Sequence, residues 1–140
     1  MAVRHVDVVE RMFGLADRCA AGDVEALNEV TTSYHDDAEI ESWLELASAE
    51  RGGNAVRAYF AQVLESYDEW RCVLDYVQDY GERVLALGAL HAVERGGAGC
   101  EQAVGWIFTF RDDKVAAVKA YPSYGDALRA VTSRAERASR

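Results

Sequence analysis

Proline is almost missing from this sequence. Pro122 is the only one in 140 residues, and no low-complexity tract accompanies it. A chain without such punctuation carries no built-in linker, and this length accommodates one domain with a sizeable core but not two. A single domain over residues 1–131 is expected, followed by a polar tail, 132–140, that carries Arg134, Arg137 and Arg140. Cysteine is scarce and odd in number: Cys19, Cys72 and Cys100 are scattered, with no two at metal-ligand spacing. Neither a disulfide framework nor a metal site is implied, and small apolar fillers in a reducing cytoplasm are the natural reading. No apolar run approaches the roughly 18 residues of a membrane-spanning helix. The opening Met-Ala-Val-Arg-His lacks the charged-then-apolar layout of a signal peptide. Positive charge is in short supply, 15 Lys and Arg against 24 Asp and Glu, for a net charge of -9. Phosphate backbones and anionic lipid repel such a chain, which argues against nucleic acid and membrane surfaces as main partners.

Apolar residues make up 50% of the chain, enough for a packed core, and their spacing distinguishes helix from strand. Val6, Val9, Met12, Phe13, Ala16 and Cys19 recur at three- and four-residue steps and predict a helix over about residues 3–20. Gly22 stands where a helix C-terminal glycine belongs, and Asp23 is a suitable N-cap for a second helix carrying Val24, Leu27 and Val30. Ala38 to Leu44 alternates apolar and polar residues, as a strand does. A third helix, capped by Asn54, carries Val56, Tyr59, Phe60, Val63, Leu64 and Tyr67. Four extended segments follow, Trp70 to Tyr80, Val84 to Glu94, Glu101 to Phe110 and Val115 to Tyr121. They are separated by turns at Gly81-Glu82, Arg95 to Gly99 and Asp112-Asp113. A short helix, Tyr124 to Val131, closes the domain. Adjacent antiparallel strands with helices on one face make an α+β architecture.

Two strands lack clean alternation: Val84 to Leu90 and Val104 to Phe110 are apolar on both faces, so both faces should be covered. Helices cover one. The other is expected to meet the sheet of a second copy in a homodimer, or else to be covered by the last helix and the N-terminal arm.

Several landmarks, in order, resemble the SnoaL-like and ketosteroid-isomerase-like families of the NTF2-like superfamily. They are Ala21-Gly22-Asp23, His35-Asp36-Asp37-Ala38, the run from Gly53 to Tyr59, and Gly81-Glu82-Arg83-Val84. Trp106 to Val115 and the closing Tyr121, Ala127 and Leu128 complete the set. The resemblance implies a cone: a strongly curved antiparallel sheet wrapped around a long helix, with an apolar pocket at the open end. That fold hosts enzymes, binding proteins and transport factors, so it does not itself imply a function.

Placed on the family pattern, the known catalytic groups are missing. Ser42 stands at the position of the isomerase base, Leu15 at that of the helix tyrosine, and Trp106 at that of the strand acid. A serine without an activating base does not abstract a carbon-bound proton. Ala120 stands where the polyketide cyclases carry an aspartate, and Asp75 and Arg111 do not form the water-activating set of the epoxide hydrolases. Strand parity then predicts a wall of Phe60, Val63, Leu87, Ala89, Trp106, Phe108, Val118 and Ala120, with two polar marks, Ser42 and His91. His91 is the candidate acid or base, since imidazole titrates near neutral pH, and a rim histidine bound to water or backbone is its structural counterpart. Tyr59, Tyr76 and Tyr121 are amphipathic and could hydrogen-bond a ligand, but each is placed first at the rim or the dimer interface. His35-Asp36-Asp37 is too compact for three ligands to converge on one ion, and no cofactor motif is present; Gly96-Gly97 lies in a hairpin, not at a strand-to-helix phosphate cradle. Three readings stay open: a binding protein for a small hydrophobic ligand, an enzyme on a polyketide- or terpene-like substrate with His91 as acid/base, and a dimerisation module with a collapsed pocket.

Overall fold

The computed structural model describes residues 4–41 and 51–138. Helix α1 spans His5–Ala20 and α2 Val24–Thr31; strand β1 spans Tyr34–Glu41, and α3 covers Gly52–Ser66. Strands β2 (Tyr67–Asp79), β3 (Arg83–Glu94), β4 (Gly99–Arg111) and β5 (Lys114–Tyr121) follow, and α4 runs Tyr124–Ala138. The last helix therefore continues well past Val131, through the stretch expected to be a tail.

Local chemistry explains several boundaries. Gly22 takes a left-handed φ of 90° as α1 ends. The Asp23 carboxylate then accepts the Ala26 N–H at 3.1 Å and starts α2. At the start of α3, Gly52 has φ 60°, and a Cβ there would lie 2.5 Å from the Asp36 carbonyl oxygen. The helix approaches β1 so closely that only glycine fits, which starts it two residues before the expected cap at Asn54.

The five strands form one sheet in the order β1-β5-β4-β3-β2, antiparallel except where β1 runs parallel to β5. Register shifts at Leu74/Tyr76 in β2 and Thr109/Phe110 in β4 mark bulges that bend the sheet. Gly88 sits opposite the first of these, and a Cβ there would fall 1.9 Å from the Val73 carbonyl oxygen. The curvature of the cone thus depends on a missing side chain at that point.

Helices α1, α2 and α3 pack on the concave face. Val9, Val30, Val56, Val84, Ala86, Phe108 and Val115 form the main core there, and each is at most 5% exposed. Full burial of aliphatic side chains of this size contributes roughly 1.5–3 kcal/mol apiece. Leu85, Leu87 and Ile107 point from the convex face into Ala127 and Val131 of α4. Both faces of β3 and β4 are therefore covered, the convex one in part by the chain's own last helix. His5 ties the start of α1 to the sheet. Its ring stacks on Phe110 at 4.1 Å, and its two nitrogens reach the carbonyl oxygens of Gly81 and Asp112, each at 3.0 Å.

Candidate functional site

A cavity of about 110 Å³ lies between α1, α3 and the concave face of the sheet, open at one end. Helix α1 contributes Met12, Phe13 and Ala16, α3 contributes Val56, Tyr59 and Phe60, and the strands supply Tyr34, Ile40, Trp70, Cys72, Trp106, Phe108, Val118 and Ala120. The aromatic rings meet edge to face: Phe13 against Trp106 at 4.8 Å, Tyr59 against Phe60 at 5.4 Å, and Tyr59 against Trp70 at 6.1 Å. Such pairs brace one another, which lets the walls stand apart instead of collapsing inward.

Phe60, Trp106, Phe108, Val118 and Ala120 line this cavity. Val63 is buried beside it with Trp70 and Leu90. Ser42 lies outside the described residues. Leu87, Ala89 and His91 must be corrected. They alternate with Ala86, Gly88 and Leu90 and share the convex face with Leu85, away from the cavity. The run Val84 to Leu90 is apolar on both faces because α4 covers one side and the concave core the other, so parity alone gave no direction. His91 pairs across the ladder with Glu101, Nδ1 to carboxylate 3.4 Å, on a partly solvated surface. It is not among the residues that line the cavity.

The polar groups that do face the cavity are different ones. Tyr34 and Tyr59 are surrounded by protein, and burial pushes both phenols well above their ordinary range. Both are only partly buried, and both line the cavity. Cys72 is pushed up to about 12, chiefly by burial and further by the Asp17 carboxylate. Glu41 stands at the mouth, its carboxylate 3.5 Å from Lys119 Nζ. Sequence parity contained the signal for two of these: Tyr34 lies on the Ala38–Ile40 face, and Cys72 lies two residues from Trp70. Tyr59, one residue from Phe60 and expected first at the rim or the dimer interface, lines the cavity.

The His35-Asp36-Asp37 run serves the fold. Asp37 accepts from the Arg111 guanidinium at 2.8 Å, and that partner holds its carboxyl below the usual range. The His35 ring meets the Arg111 carbonyl oxygen, so the pair braces β1 against the end of β4. Among the described residues, no three His, Cys, Asp or Glu side chains are grouped to hold a metal ion. None of the described helices is long and apolar enough to cross a membrane.

The chain that folds into this cone matches the SnoaL-like domain family over residues 9–118. The chain belongs to the SnoaL-like family. Solved structures agree on the fold. An NTF2-like protein of unknown function from Burkholderia pseudomallei superposes with a TM-score of 0.73 at 16% identity, covering 89% of this chain and 95% of its own. TerC co-crystallized with polyporic acid gives 0.70 at 15% identity, covering 89% and 95%. An NTF2-like protein of unknown function from Exiguobacterium gives 0.69 at 15%, covering 84% and 98%. At these identities the likeness establishes the SnoaL-like cone and nothing of the chemistry inside it. No curated protein matches the sequence at a significant level.

Proposed function

We propose that this SnoaL-like protein binds a small hydrophobic molecule in the cavity between α1, α3 and the sheet. One observation carries the reading: among the described residues the cavity is walled by aromatic and aliphatic side chains, and the polar groups inside its mouth are two phenols and a thiol that burial favours in their neutral forms. Such a wall favours an apolar guest by removing its surface from water. The acid/base role considered for His91 has no support from its place on the convex face. The co-crystallization of TerC with polyporic acid is in keeping with a fold that takes up an organic molecule. Titration with a panel of small apolar compounds, read as a melting temperature that rises with the logarithm of ligand concentration, tests the proposal. A melting temperature unmoved across the panel refutes it.

Two copies are further proposed to associate through the convex face. Helix α4 covers Leu85, Leu87 and Ile107 but leaves the neighbouring strip of Val73, Ala89 and Val93 half-buried and Tyr76 47% exposed. Light scattering behind a sizing column should give twice the 15.5 kDa chain mass, and Ala89→Arg should halve it. A single-chain mass for the unaltered protein at high concentration would remove this proposal.

A further inference from the structure

We infer that the convex face recognises a second copy of this chain in one orientation, with the two-fold axis running along β3 and Arg71 of each copy paired with Glu101 of the partner subunit. This rests on the association proposed above and goes further by naming the contacts that select the partner and its orientation.

Ala127 and Val131 of α4 pack on Leu85, Leu87 and Ile107 at one end of the convex face. The other end is built in rows across three strands. Val73, Ala89 and Ala103 are partners across β2, β3 and β4. The next row is Arg71, His91 and Glu101, and the one beyond it is Glu69, Val93 and Gly99. Small apolar side chains thus lie beside a row that is positive at one end and negative at the other. His91 Nδ1 stands 3.4 Å from the Glu101 carboxylate, whose side chain is still 73% exposed and so has room for a second partner. Arg71 is exposed at the opposite end of the row. Neighbouring strands lie about 4.8 Å apart, which sets the two charges roughly 10 Å from each other across β3.

A face with charges in this order is complementary to itself in one of two ways. A two-fold axis along β3 exchanges the β2 side with the β4 side, so Arg71 comes over the partner's Glu101 and Glu101 over the partner's Arg71. Glu69 then comes over Gly99 of the partner subunit, which carries no charge. An axis across the strands keeps each side in place and sets Arg71 against the partner's Arg71 and Glu101 against the partner's Glu101. The long side chains of arginine and glutamate together span the roughly 10 Å between two packed sheets. Each copy carries a net charge of -9, so two copies repel at a distance, and the orientation that matches opposite charges at the contact is favoured over the one that matches like charges.

Charge reversal in two separate chains tests the pairing. Arg71→Glu and Glu101→Arg are each made in the full chain and checked for an unchanged circular dichroism spectrum. Light scattering behind a sizing column then gives the mass of each variant alone, of the two mixed in equal amounts, and of the chain carrying both reversals. The unaltered protein should give the two-copy mass. Each variant alone brings like charges together at both contacts, so self-association should weaken at least tenfold and the mass should fall towards that of one chain at the same concentration. The mixture and the doubly reversed chain each restore an opposite-charge pair at both contacts and should return to the two-copy mass. An undiminished two-copy mass for either variant alone, or a single-chain mass for the mixture or the doubly reversed chain, would overturn the inference while leaving association through the convex face in place. A single-chain mass for the unaltered protein would overturn the association itself.

Discussion

Filling the cavity should make the protein more stable and less able to bind. Ala16 lines the cavity from α1, where leucine is also a good helix residue. At roughly 24 cal/mol per Å³, an unfilled space of 110 Å³ forgoes about 2.6 kcal/mol of packing. Ala16→Leu inserts three carbons into that space. At about 0.8 kcal/mol per buried methylene, less about 0.5–1 kcal/mol of lost side-chain freedom, the net gain is about 1–2 kcal/mol. For a chain of this size that is a rise in melting temperature of roughly 3–8 °C. The same leucine occupies space that the proposed apolar guest would take, so the affinity for any small apolar compound that binds the unaltered protein should fall at least tenfold. Calorimetric melting and titration of the purified variant read both numbers. A variant that melts lower than the parent would show that the space is already filled by its walls, since overpacking costs about 1–3 kcal/mol. Unchanged affinity would show that the ligand sits elsewhere. Either result refutes the argument from cavity to function.

Other consequences are as direct. A Cβ on Gly105 would stand 2.3 Å from the Ala127 Cβ, so Gly105→Ala must push α4 off the sheet; the expected loss is about 1–3 kcal/mol in a thermal melt. Adding Ala127→Gly should return part of it, and a neutral single substitution would contradict the close packing of α4. Tyr34 and Tyr59 have phenol pKa values raised above the ordinary 10.0, so the unfolded chain ionises first. Their contribution is complete below pH 10 and is lost as pH rises beyond it. Absorbance at the phenolate band should accordingly show these two tyrosines titrating only with unfolding, and early ionisation of both in the folded protein would contradict their placement. Cys72, with its thiol pushed up to about 12, should resist a thiol reagent at neutral pH that modifies exposed Cys100, and equal rates for the two would show the cavity wall to be open. His91→Ala should leave ligand affinity in the cavity unchanged, and a loss of binding would show that the convex face communicates with the site.

The helix and strand order followed from residue spacing alone, because amphipathic periods report which residues must be buried together. The Val6–Cys19 stripe, the Asp23 cap, the alternation of Val104, Trp106, Phe108 and Phe110, and the pair Val118 and Ala120 each agree with the described structure. What tertiary structure alone decided was direction. Val84 to Leu90 is apolar on both sides, so nothing local says which side meets the cavity. The packing of Ala127 and Val131 on Leu85 and Leu87 settles it and turns His91 outward. The tyrosines were likewise visible as residues but not as cavity-lining ones. A phenol at the edge of a helix face can go to the rim or inward, and only the approach of α3 to β1 and β2 places Tyr59 near Tyr34 and Cys72. A sequence records which side chains want burial; which of two buried faces encloses an empty space depends on contacts between elements far apart in the chain.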